Sequence, residues 1–86
     1  MIVSYDRKAD AATIYIAPKD TASASMYPCD PNEVGAIINL DFDAKGRLIS
    51  IEVLNASAKL PAALLSQAEQ LHPAPPATPR ERALVE

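Results

Sequence analysis

Asp41, Asp43, Gly46 and Glu52, in the stretch DFDAKGRLISIE, match the calcium-loop template D-x-[DN]-x-[DN]-G-x5-E at every fixed position but one. Chemistry of that kind would place several carboxylate oxygens around one cation at 2.3–2.6 Å. Asp6 and Asp10 form a second close pair of acids, the arrangement that general acid–base catalysis uses when an apolar pocket raises one carboxyl pKa. Nucleophilic catalysis would have to draw on Cys29 and His72, the only cysteine and the only histidine. Cys29 has no Lys, Arg or His beside it in sequence to lower its pKa, and lies between Pro28 and Pro31 in a loop. His72 precedes Pro73 where a helix should stop, so its expected role is at a helix C-terminus. With only Gly35 and Gly46 in the chain, there is no glycine-rich phosphate loop.

The elements that must position these residues decide between the readings. Ile2–Tyr5 and Ala12–Ile16 flank the polar loop DRKADA, and Ile14 and Ile16 alternate with Thr13 and Tyr15 as in a half-buried strand. Ser23–Tyr27 is a weaker strand candidate, closed by PCDPNEVG. Ala36–Phe42 and Leu48–Val53 then flank DAKG. Taking DAKG as a four-residue loop sets Leu40 opposite Ile49 and Ile38 opposite Ile51, which puts both apolar pairs on one face. Gly46 supplies the left-handed conformation that such a loop needs.

In this register Glu52 opposes Ile37, four residues along from Asp41, or on the order of 13 Å at ~3.4 Å per residue. Position 5 of the template is Lys45, an ammonium where a carboxylate belongs, and the flanks alternate as strands rather than helices. The stretch is therefore expected to be a turn. Asp43 then bonds its own backbone, and no metal, cofactor or catalytic residue is expected.

Beyond Val53, Leu60, Leu64, Ala68 and Leu71 form a helical stripe, with Pro61 in the first turn. That stripe needs an apolar surface, and the sheet is the one available. The expected fold is α+β: a small antiparallel β-meander of four to five strands with one C-terminal helix packed on a sheet face. Residues 1–72 make a single domain and 73–86 a proline-rich tail, holding four of the eight prolines.

A chain of 86 residues builds only a marginal core. Its net charge of −3, with Lys and Arg scattered, argues against direct nucleic-acid binding. One cysteine and no long apolar run predict a cytoplasmic protein with no membrane span. On the face opposite the helix, alternation points Tyr15, Ile37 and Leu48 outward, and these three are the candidate interaction surface. Short hairpins also leave edge strands able to accept another strand.

YDRKADAATIYI followed by GAIINLDFDAKGRLISIEVLNASAKL resembles the bacterial family called domain of unknown function 2283. Tyr5, Asp6, Ala9, Asp10, Ala11, Asp43, Gly46, Arg47, Leu48, Ile51, Glu52, Ala56 and Ser57 carry the resemblance, which covers roughly residues 1–60. PCDPNEV departs from the family's shorter acidic connection, and the chain continues past the usual ending. The resemblance implies a small soluble bacterial protein and brings no catalytic residues with it. Some members lie beside genes resembling small ribonuclease-type toxins, which suggests an antitoxin role. The primary expectation is a non-catalytic protein–protein interaction module that self-associates as a homodimer or binds a protein partner. An antitoxin-like component that neutralises a basic toxin is the alternative, and a metal-dependent hydrolase built on the acidic turns ranks last.

Overall fold

A computed structural model describes residues 2–70 of the chain. The chain forms strands β1 (Ile2–Asp6), β2 (Ala11–Tyr15) and β3 (Ser25–Pro28), a single helical turn α1 (Pro31–Val34), then β4 (Ile38–Phe42) and β5 (Leu48–Leu54). Two short helices, α2 (Ala56–Lys59) and α3 (Ala62–Ser66), precede a two-residue strand β6 (Glu69–Gln70). The class is α+β, and its sheet has six strands rather than four to five, in the order β3-β4-β5-β2-β1-β6. All neighbours are antiparallel except β1 and β6, which run parallel.

The helix expected from the Leu60–Leu71 stripe is cut short: α3 starts just after Pro61, in keeping with a proline at the helix start, but ends at Ser66, and a separate short helix α2 precedes it. The ring of a proline crowds the residue before it out of the helical region. Leu60 accordingly sits at φ −119°, ψ 152°, which ends α2 and lets α3 start afresh after Pro61. Past Gln67 the chain extends alongside β1, so Glu69 pairs with Ser4 where the helical spacing predicts another turn. The proposed helix end at Leu71 and His72 and the proline-rich tail lie outside the described residues.

The β4–β5 hairpin forms as expected, but in a register shifted by two. Leu40 faces Ile51 and Ile38 faces Val53. One residue of the shift comes from the loop: Asp43 donates its N–H to the Arg47 carbonyl (2.9 Å), leaving only Ala44, Lys45 and Gly46 in the turn. The other comes from a bulge, because Asp41 pairs with Ser50 while Phe42 pairs with Leu48, and Ile49 is the extra residue. The Ile49 carbonyl is used from the other side, accepting from Ile16 N–H at 2.9 Å and Ala17 N–H at 3.0 Å. The shift of two keeps Ile38, Leu40, Ile51 and Val53 on one face, while Leu48, on the loop side of the bulge, changes face.

Directly paired residues share a face, and the register sorts the sheet into two surfaces. One carries the apolar rows Val3–Ile14–Ile51–Leu40–Tyr27 and Tyr5–Ala12–Val53–Ile38. The other carries Ser4–Thr13–Glu52–Asn39 and Ile2–Tyr15–Ser50–Asp41–Met26. On the apolar face Ala12, Ala56 and Leu65 form a small buried cluster, with Tyr5 and Leu60 packed against it.

Candidate interaction face and its carboxylate anchors

The acids that read as possible catalysts hold the backbone instead. Asp10 lies in the left-handed region at φ 52°, closing the β1–β2 turn. From there its carboxylate crosses to the start of α2, accepting the Ser57 N–H at 3.0 Å on Oδ1 and the Ser57 hydroxyl at 2.7 Å on Oδ2. The Tyr5 hydroxyl donates to Oδ1 at 2.7 Å, and the Asp10 carbonyl accepts the Ala56 N–H at 2.9 Å. Asn55, the residue that should cap α2, makes no side-chain cap, and Asp10 fills that role from 45 positions or more upstream in the chain. The Tyr5 and Ser57 hydrogen bonds hold the Asp10 carboxyl below the usual carboxylate range, and the same bond to Asp10 pushes the Tyr5 phenol up.

Asp43 does the equivalent work in the second hairpin. Its Oδ1 accepts the N–H groups of Lys45 and Arg47, each at 2.9 Å, and its Oδ2 meets Arg47 Nε at 2.8 Å. The Arg47 N–H is the main reason its carboxyl lies below the usual range. Gly46, at φ 78°, provides the conformation the turn needs. Asp6 accepts from Lys8 and Ala9 N–H, and Asp30 caps α1 through Asn32 N–H.

The observed register brings Asp41 and Glu52 nearer than expected, two residues along and one strand across, or about 8 Å between backbone positions. Each is bonded to a neutral neighbour: Ser50 Oγ to Asp41 at 3.0 Å, Asn39 Nδ2 to Glu52 at 3.0 Å. Among the described residues no group of three or more His, Cys, Asp or Glu is placed to hold a metal ion. Cys29 is a half-buried free thiol whose N–H bonds the Ile38 carbonyl at 2.8 Å.

The three residues expected to form an outward patch are not brought together. Tyr15 lies on the polar face, half-buried beneath Lys19, whose ammonium sits 5.8 Å from the ring centroid and 2.6 Å from Glu69 Oε1. Ile37 is exposed beside a shallow cleft of about 400 Å³ between α1 and α2, also lined by Pro31, Leu54 and Lys59. Leu48 departs from the expectation, because the bulge sets it opposite Phe42, on the side of the apolar rows.

The face that carries the apolar rows is only partly covered. A six-stranded sheet spans about 24 Å across its strands, whereas α2 and α3 are about 6 and 8 Å long. They seal Ala12 and Val53 (0% and 3% exposed) but leave Val3, Ile14, Ile51 and Leu40 half-buried and Tyr27 60% exposed. Sequence reasoning assigned this face to a long helix. The helix stops at Ser66 because the chain past Gln67 pairs with β1, a long-range contact that the spacing of Leu60, Leu64 and Ala68 does not encode.

Fold and site together define a small α+β sheet module held by carboxylate-anchored turns. The family model described as "Protein of unknown function (DUF2283)" matches residues 2–57, and the chain belongs to that family. No curated protein and no solved structure matches it. The match contains both hairpins and ends at Ser57, so the Asp10 anchor lies wholly within it. Among the described residues, no helix is long and apolar enough to cross a membrane.

Proposed function

We propose that the chain is a non-catalytic protein–protein interaction module whose contact surface is the apolar sheet face beyond α2 and α3. The observation that carries this reading is the row Val3–Ile14–Ile51–Leu40–Tyr27, which is apolar throughout yet nowhere fully buried. Contiguous apolar surface of this sort is costly to leave in water and commonly marks a binding site. The non-catalytic part of the reading is supported by the acids, since Asp6, Asp10, Asp30 and Asp43 each satisfy backbone N–H groups. A photo-crosslinking residue placed at position 27 or 40 in living cells tests the reading. Protein adducts should form there in preference to positions 13 and 39 on the polar face. Equal labelling of both faces, or none at either, would contradict it.

The antitoxin-like alternative draws on the polar face instead, where Asp41 and Glu52 share one surface and the chain carries net charge −3. A basic partner would be drawn to such a surface. Adducts concentrated at position 39, together with a small basic protein encoded next to this chain, would favour it.

A further inference from the structure

We infer that the occupant of the uncovered apolar face is a second copy of this chain, packed sheet against sheet about a two-fold axis. The inference rests on the interaction reading above and specifies its partner.

Charge comes first. The row Val3, Ile14, Ile51, Leu40 and Tyr27 contains no ionisable group that is charged at neutral pH, although the chain as a whole is acidic. This patch can therefore face itself without repulsion between like charges. It also offers no countercharge by which a strongly basic or acidic partner would choose it.

Strand addition, the other common route to self-association, is poorly served. The Cys29 N–H points inward to the Ile38 carbonyl (2.8 Å), so by alternation the N–H groups of Tyr27 and Ser25 also face β4. The outward positions of β3 are Met26 and Pro28, and Pro28 has no N–H to give. At the opposite edge β6 has two residues, one of them Glu69 in an ion pair with Lys19. Both described edges are blunted, while the flat face is open.

Size is sufficient for a reversible contact. Five strands from β3 to β1 span about 19 Å, and the part that α2 and α3 leave uncovered is about half of their ~17 Å length, a plan area of roughly 160 Å². Side-chain relief raises this to on the order of 250 Å² of accessible surface per copy, or about 500 Å² in all, the size of a weak, transient contact. A flat apolar sheet face is self-complementary, as an isologous interface requires, and two such faces pack about 10 Å apart.

Sedimentation equilibrium of the full chain from about 5 to 500 µM tests this. The mass should rise from 9.2 kDa toward twice that value over the range. Leu40→Lys and Tyr27→Glu should each weaken dimerisation at least tenfold, while Thr13→Lys on the polar face should leave it unchanged. Position 27 is 60% exposed, so Tyr27→Glu remains informative should Leu40→Lys fail to fold by circular dichroism. A monomer at every concentration, or a dimer indifferent to both substitutions, would overturn the inference. A monomer that still forms cellular crosslinks from position 27 to a different protein would overturn it and leave the interaction reading standing. A monomer that forms none would remove both.

Discussion

Leu65→Ala and Leu40→Ala remove the same three carbons, one set from the helix α3 that covers the sheet face and one from the uncovered half of that face, and comparing them measures how far α2 and α3 cover it. Leu65 is 9% exposed and packs on Ala12 and Ala56, whose methyl groups cannot grow to fill a void. At about 0.8 kcal/mol per buried carbon the transfer loss is ~2.4 kcal/mol, and the residual cavity raises the expected cost to about 3 kcal/mol. A domain of this size has a total stability of roughly 4–10 kcal/mol, so a large fraction of it is lost. The melting temperature should fall by about 12–24 °C. Leu40 keeps part of its surface in water, and its truncation in the monomer should cost about half as much, roughly 1.5 kcal/mol. Thermal unfolding followed by circular dichroism at a few micromolar reads both values. Equal costs at that dilution would mean that Leu40 is covered by the chain itself. A Leu65→Ala cost below about 1 kcal/mol would mean that α3 does not seal the core. Either result would refute the reasoning.

Two further predictions concern the turns. A Cβ at Gly46 would meet nothing within 4 Å, so Gly46→Ala should cost only the backbone strain of φ 78°, about 1–2 kcal/mol, and Gly46→Asn less, as chemical denaturation will show. Asp10 and Asp43 have carboxyls depressed in the folded state, first by the Tyr5 hydroxyl and the Arg47 N–H respectively. Their contribution is therefore complete above about pH 4 and disappears as pH falls through the folded-state values. Asp10→Asn should flatten the acid limb of the stability curve and leave its shape between about pH 5 and 9 unchanged, below the range of the raised Tyr5 phenol. An unchanged acid limb would remove Asp10 from the account.

The hairpins were legible because strand alternation and turn residues are local signals. The class α+β and the family resemblance followed from Tyr5, Asp10, Gly46 and their neighbours without any knowledge of packing. Register was less legible. Asp43 captures the Arg47 N–H with its side chain and shortens the loop by one residue, and the Ile49 bulge shifts the pairing by another. Bulges have no spelling of their own in a single sequence. The helix is shorter than its stripe of Leu60, Leu64, Ala68 and Leu71 predicts because the chain past Gln67 pairs with β1, a contact that local periodicity does not register. The surface expectation depends on the same helix: a long one would bury Leu40 and Ile51 and leave the opposite face, with Tyr15 and Ile37, as the exposed one. The Asp10–Ser57 anchor spans 47 residues, and nothing at either end announces the other except their common membership of the family pattern.

The central claim is that the apolar face between Val3 and Tyr27 is open in the single chain and closes on contact. Methyl signals of Ile14, Leu40, Ile51 and Leu65, recorded with a soluble paramagnetic agent at low and high protein concentration, test it directly. The account predicts strong broadening of Ile14, Leu40 and Ile51 in dilute protein, protection of the same three in concentrated protein, and protection of Leu65 in both. Protection of all four at every concentration would contradict it.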